Sequence, residues 1–426
     1  MSQSEPTAFS ACHLSVLPAI RLLALSIVTL QIGCTESTVP QQQSKTQAGS
    51  AGRQRAAVQP DSDGVYHVHE GQLIQEVLDA AAADPVHKRV VIHAGTYRPP
   101  YASQAMIRLH TRHDGLTVEG AGRPVLTAQN KDVALPGSTG YPAVVNHVVY
   151  IGDGITDRTT LRGLTITGAN GFVTQQETDG PIEPRADERL LEKRLFFYLD
   201  GGAIKIFGRS SPVLEDLQII DNSTQLCGGG ISVEHRGTSG SSVRILNCVF
   251  RNNRCPATGS AIDLLEGSTA FIENCLFVGN IANFGMQEVE SQFGLRYNET
   301  HGCGALTVFP SSKATVVRCT FTQNWNGADD RGASSYQDSI FWNNTASSGQ
   351  LPGDPYELDV SGSVQVQNCW ISGTINDLQG TIDPATNSLN APDPLFDSDF
   401  NPSNAEYDGI GFRSHAQKDV LNDLAE

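Results

Sequence analysis

Basic residues are scarce in this chain. Lysine and arginine total 29 against 46 acids, a formal charge of -17 over 426 residues. A protein that grips nucleic acid needs a basic face, because release of counterions condensed on the phosphates drives that binding. The charge balance therefore argues against a nucleic-acid partner. An anionic polysaccharide is repelled as well, unless a cation bridges it or a local basic patch overrides the overall field. No Cys-x-x-Cys pair occurs, so a structural zinc site of that spacing is not expected. The repeated segments lack helical periodicity, which excludes heptads and helical hairpins.

A membrane-spanning run is also missing near the N-terminus. Arg21 precedes the apolar stretch LLALSIVTL (22–30), too short to cross a bilayer and suited to a signal-peptide core. The ending QIGC (31–34) resembles a bacterial lipobox through Ile32, Gly33 and Cys34, with Gln31 where leucine is usual. Residues 1–34 are thus expected to be a signal peptide. Either Cys34 is lipidated and anchors the protein to the cell envelope, its only membrane contact, or ordinary cleavage nearby releases a secreted, extracytoplasmic protein. Residues 35–62 are rich in Gln, Ser, Thr and Ala without apolar period, and read as a flexible tether.

What the body does contain is a repeated phrase. RILNCVFRNN (244–253), FIENCLFVGN (271–280), VVRCTFTQN (316–324), QDSIFWNN (337–344) and VQNCWISG (366–373) align, with LEDLQIIDN (214–222) as a cysteine-free form. Cys248, Cys275, Cys319 and Cys369 form one column, with Ser339 replacing one. Ile166, Ile219, Phe250, Phe277, Phe321, Phe341 and Ile371 form a second, two residues on. Asn222, Asn253, Asn280, Asn324 and Asn344 form a third. A glycine-rich phrase precedes most copies: GGAIKI (201–206), GGGISV (228–233), GSAIDL (259–264) and CGALTV (303–308). Short strands separated by turn residues, repeating every 20 to 31 residues, describe a parallel β-solenoid with two strands per unit and seven to nine coils. Like residues then stack about 4.8 Å apart. The cysteines are expected to be small buried hydrophobes, and the asparagines to stack at a left-handed corner. Seven cysteines follow the leader. A Cys227–Cys255 disulfide between neighbouring coils is compatible with an oxidising compartment.

On these residues the chain resembles the bacterial right-handed parallel β-helix proteins of the pectate-lyase-like superfamily. The stretch 72–100 is similar to their usual opening: a capping helix near 71–83, a strand at 89–93, then Gly95-Thr96-Tyr97. GLTVEGAG (115–122) and GLTITGAN (163–170) match early coils, and DPLFDSD (393–399) resembles a closing segment. The expected fold is all-β, a right-handed parallel β-helix over 63–410 with a short N-terminal capping helix and a tail at 411–426. The resemblance implies a polysaccharide partner, and the same fold hosts lyases, hydrolases, esterases and adhesins. The better-known catalytic signatures are missing. There is no Asn-Thr-Asp, Asp-Asp and Gly-His-Gly series like that of polygalacturonases, nor an Arg-x-Pro-x-x-Arg stretch like that of pectate lyases. ADDRG (328–332) is read as a turn, and His67, His69, His87, His93, His110 and His113 as ordinary polar residues.

Two insertions, 173–199 and 284–301, interrupt the period at the same point of their coils and are expected to wall in one face. Alternation turns Lys205, Ser232, Glu234, Asp263 and Thr307 outward there, with His235, Arg236 and Glu266 at strand ends. Glu234 and Asp263 could act as an acid and base pair with Lys205 or Arg236, in an inverting hydrolase or a β-eliminating uronan lyase. Ser232, His235 and Glu266 would then contact substrate, and Glu234 and Asp263 could hold Ca²⁺ against a uronate. The alternative is a non-catalytic surface adhesin or structural envelope protein.

Overall fold

The computed structural model describes residues 58–414 apart from 136, 176–192, 294–302, 346–354, 362 and 378–379. The expected signal peptide, with Cys34, and residues 35–57 of the expected tether lie outside these residues. Parallel strands stack into three sheets of ten, nine and nine strands. Each coil contributes three strands rather than the expected two. Val213–Glu215, Gln218–Ile220 and Ile231–Glu234 form one coil, and Val243–Leu246 begins the next by pairing with Val213–Glu215. The repeated phrase conceals two strands in one apparent run. In RILNCVFRNN, Val243–Leu246 belongs to the first sheet and Val249–Arg251 to the second. The chain bends between them at Asn247, whose φ is 55°.

That bend recurs. Asp216, Asn247, Asn274, Arg318, Asp338 and Asn368 all have φ between 49° and 55°. Asn and Asp dominate because their short polar side chains tolerate the left-handed region best after glycine. A second bend follows the Phe or Ile strand in five successive coils, at Asp221, Asn252, Gly279, Gln323 and Asn343, with φ from 55° to 68°. The left-handed residue is therefore the one before the asparagine column. The ladder asparagines turn inward instead. Nδ2 of Asn222 donates to Oδ1 of Asn253 (3.1 Å), and the relay continues to Asn280 (3.1 Å), Asn324 (2.9 Å) and Asn344 (2.8 Å). Glu357 ends the ladder by accepting from Asn344 N (3.0 Å) and Nδ2.

The other two columns fill the core. Phe250, Phe277, Phe321 and Phe341 stack nearly parallel, with centroids 4.9, 4.2 and 4.7 Å apart. The cysteines are more than apolar filler. Each thiol donates to the carbonyl two residues back, and the inward side chain of one coil accepts from the backbone N–H of the coil before it: Cys248 N donates to Cys275 Sγ and Cys275 N to Cys319 Sγ (3.4 Å each), while Cys319 N donates to Ser339 Oγ (3.1 Å). A hydroxyl serves the same relay, which is why serine can stand at 339.

Helix α1 (Ile74–Ala83) closes the N-terminal end, burying Ile74, Val77, Leu78 and Ala81 at helical spacing and shielding edge backbone from other chains. At the other end the chain runs back across the coils. Gly411 N donates to Asp338 O, Phe412 N to Thr320 Oγ1 and Arg413 N to Asn274 Oδ1. Residues 411–414 are thus packed on the body, and the tail boundary expected at 411 falls inside this strap. ADDRG also departs from expectation: Ala328–Asp330 is a strand of the third sheet, not a turn. Asp330 points inward, where Tyr336 Oη and Gly332 N donate to its carboxylate (2.9 Å each).

Candidate functional site

The outward column of the third sheet runs Lys205, Ser232, Asp263, Thr307, Asp329 and Asp359 in register. The alternation that turned these residues outward holds. The solvated face does not. Lys205, Ser232 and Asp263 have no exposed surface, and Glu234 retains 2%. The cause is the first insertion, whose last segment forms helix α2 (Leu195–Leu199) directly over the column. Lys205 Nζ donates to Phe196 O (3.0 Å) and to Ser232 Oγ (3.1 Å), so the cover is bonded to the coil beneath it. Phe197 packs edge-on against Tyr150 and Phe207, at 5.3 and 5.0 Å. The second insertion contributes helix α3 (Met286–Phe293), and its Val289 meets Leu199, Leu226, Cys227 and Ala257. In their described parts the insertions do not wall an open cleft: α2 caps Lys205, and α3 packs beside it on Leu199 and Cys227.

Beneath them the charges are engaged. Glu234 Oε2 lies 2.8 Å from Lys205 Nζ, an ion contact off the line of a good hydrogen bond, and Oε1 accepts from Arg236 Nε (2.8 Å). Both oxygens of Glu234 thus face cations, which argues against a Ca²⁺ shared between Glu234 and Asp263. Arg236 is about a quarter exposed and links the cluster to the surface. His235 is buried at the strand end and does not face the column. Its Nε2 donates to Ser210 O (2.7 Å), its Nδ1 accepts from Thr269 N (3.3 Å), and burial lowers it to about 4. Of the expected contacts to substrate, Glu266 is the exposed one.

Sequence reasoning missed a second column beside the cluster. Asp200, Cys227 and Thr258 each stand four residues before a paired strand residue, Ile204, Ile231 and Ile262. They form a column of their own, legible as the residue before the first glycine of each glycine-rich phrase. Cys227 N donates to Asp200 Oδ1 (2.9 Å), and Thr258 Oγ1 lies 3.2 Å from Cys227 Sγ and 3.0 Å from Asp263 Oδ1. Burial pushes Asp200 up to about 8, with Lys205 pulling the other way, and burial then Asp200 hold Asp263 well above the usual carboxylate range. Buried His147, whose Nδ1 donates to Gly201 O, is lowered to about 3 by burial and then by Lys205. The disulfide expected between Cys227 and Cys255 is not formed. The coil equivalent of Cys227 is Thr258, so Cys255 falls three residues out of step and its thiol donates to Thr258 O (3.1 Å).

Two further groupings were not anticipated. Arg331 Nε lies 3.1 Å from Asp329, and its other nitrogen 3.2 Å from Asp359, farther along the same column; burial lifts Asp329 to about 7. At the N-terminal end, pairing of Val65–Val68 with Arg89–His93 brings three scattered histidines together. His67 Nδ1 lies 2.9 Å from His93 Nε2, and His69 stacks on His93 at 4.3 Å. An open hollow of about 440 Å³ lies elsewhere, lined by Trp342, Asn343, Thr345, Tyr356, Glu357 and Thr374 among others.

A family model described as a right handed beta helix region matches residues 146–290, from the third-sheet strand Val145–Ile151 to the middle of α3. With three stacked parallel sheets, that match decides the architecture. The chain is a right-handed parallel β-helix. No curated protein matches it. The matched span holds Lys205, Ser232, Glu234 and Asp263, so the covered column lies within the recognisable part of the β-helix.

Proposed function

We propose that this β-helix is an exported, envelope-associated protein that binds polysaccharide without cleaving it. The observation that carries the reading is the burial of Lys205, Glu234 and Asp263, with α2 bonded to Lys205 and α3 packed beside it on Leu199 and Cys227. A lyase or hydrolase must bring a polymer to its carboxylates, with room for water or a proton-accepting base beside the sugar. Here Phe196 O occupies the ammonium, Arg236 and Lys205 occupy Glu234, and no exposed surface remains on Asp263. The cluster serves instead to fasten the insertions to the coils. Contact with glycan falls to the open hollow beside Trp342, where an aromatic ring and amide and hydroxyl groups suit a sugar. Export rests on the leader, and retention at the envelope on Cys34.

The test is incubation with a panel of uronic-acid and neutral glycans, with and without Ca²⁺, scoring binding alongside reducing and 4,5-unsaturated ends. Binding that weakens in Trp342→Ala, with no product formed, supports the reading. Product that disappears in Asp263→Ala would restore the lyase or hydrolase alternative. Mass spectrometry of the mature N-terminus separates lipidated Cys34 from simple cleavage.

A further inference from the structure

The buried column beneath α2 contains more acid than its cations neutralise. Asp200, Cys227 and Asp263 each place one donor atom within 4.8 Å of the others, and all three side chains have no exposed surface. Among the described residues, neither Asp200 Oδ2 nor Asp263 Oδ2 accepts a hydrogen bond. Two carboxylate oxygens buried without donors are costly, and a buried charge is normally paired or bound to metal. We propose that Asp200, Cys227 and Asp263 bind one divalent metal ion of the zinc type, which pins the α2 insertion to the coils beneath it.

The donor set fixes the class of metal. A thiolate with two carboxylates is a borderline set that suits Zn²⁺, whereas Ca²⁺ and Mg²⁺ take oxygen alone. Tetrahedral zinc with ligand bonds of about 2.0–2.3 Å separates its donors by roughly 3.3–3.8 Å, so three atoms within 4.8 Å of one another need to contract by about 1.5 Å at most. Thr258 supplies the supporting contact. Its single hydroxyl proton reaches either Asp263 or Cys227 and orients that ligand. Charge closes as well. Three anionic ligands and a dication leave one negative charge, matched by the single positive charge left among Lys205, Arg236 and Glu234. Metal entry displaces the protons that burial otherwise keeps on the carboxyls and the thiol, so binding releases protons to solvent.

The geometry also says what the ion would do. Asp200 is the residue after α2, Cys227 lies one coil on and Asp263 follows the coil after that. One ion at this point ties the end of the insertion to two successive coils. The missing Cys-x-x-Cys is no obstacle, because stacking rather than local spacing assembles the ligands.

The experiment uses the full chain, stripped with chelator and then titrated with Zn²⁺ or Co²⁺. The expected result is one equivalent bound, with a thiolate-to-cobalt charge-transfer band and proton release on zinc addition. Cys227→Ser should lose the band and more than about tenfold of the affinity while keeping its far-ultraviolet circular dichroism. Asp263→Asn should lose affinity but keep a thiolate band where cobalt still binds. Cys369→Ser is the control, since Ser339 already fills that column, and should behave as wild type. Wild-type protein that binds no stoichiometric metal overturns the proposal. So does a folded Cys227→Ser protein that binds cobalt as wild type does.

Discussion

Replacing Asn280 by alanine should weaken the coil stack more than any surface change of the same size. Asn280 has no exposed surface and sits in the middle of the amide ladder. Its Oδ1 accepts from Asn253 N (3.0 Å) and Asn253 Nδ2 (3.1 Å), and its Nδ2 donates to Phe250 O (3.0 Å) and Asn324 Oδ1 (2.9 Å). Alanine leaves the backbone N–H of Asn253 buried without its acceptor, at about 1–3 kcal/mol, and removes further hydrogen bonds worth about 1 kcal/mol each, while Asn253 Nδ2 keeps Ile219 O. The expected loss is about 3–5 kcal/mol. Asn280→Asp should do no better, because it keeps the acceptor but turns a carboxylate oxygen toward Asn324 Oδ1. Asn222→Ala, at the ladder's start, should cost clearly less, since its Oδ1 accepts from Ala169 N at only 3.3 Å. Denaturant unfolding followed by circular dichroism measures the loss, and limited proteolysis between the flanking coils localises it. A cost below about 1 kcal/mol for Asn280→Ala, or equal costs at 222 and 280, would refute the ladder as a source of stability.

Lys205→Met keeps the stem but strands Glu234 with Arg236 alone, and breaking such a buried pair should cost about 3–5 kcal/mol in denaturant unfolding. Cys275→Ser should be nearly neutral, because a hydroxyl repeats the relay seen at Ser339. Cys275→Val, which orphans Cys248 N, should cost at least about 1 kcal/mol more by the same measurement. His235 sets a pH dependence. Its folded pKa, lowered to about 4 by burial, lies below the unfolded 6.5, so the unfolded chain takes up the proton first. Its contribution is complete above about pH 6.5 and fades as pH falls toward 4, by about 3 kcal/mol. The stability gap between wild type and His235→Gln, measured at pH 7 and again at pH 4, should shrink accordingly.

Much of the architecture was legible because its signals are periodic. The strand at 89–93 and the start of the capping helix follow from local pattern, and α1 starts at Ile74, within a turn of expectation. The columns of cysteine, phenylalanine and asparagine are visible as soon as the phrases are aligned. The third strand of each coil was not, because only two residues, such as Asn247 and Cys248, separate it from the next strand, and period-2 spacing runs across the bend. The candidate site was half legible. Alternation places Lys205, Ser232 and Asp263 in one outward column, as the register confirms. It cannot say what lies on top. Burial came from Phe196, Phe197 and Val289, residues of insertions with no repeat to align. The partnership of Asp200 with Cys227 appears only when the residues before each glycine-rich phrase are stacked, and pairing Cys227 with Cys255 misses it. The histidines at 67, 69 and 93 share no repeating ligand spacing, yet strands pairing across 24 residues bring them together.

The most direct test of the closed column is the reactivity of Lys205 toward an amine-labelling reagent in the folded protein, read residue by residue by mass spectrometry. Lys131 and Lys313 are exposed and serve as internal standards. A covered Lys205 should stay unlabelled while both standards react, and should label only once denaturant unfolds the coils. Labelling of Lys205 at the rate of Lys313 under native conditions would mean that the face is open, and would return Glu234 and Asp263 to candidacy as a catalytic pair.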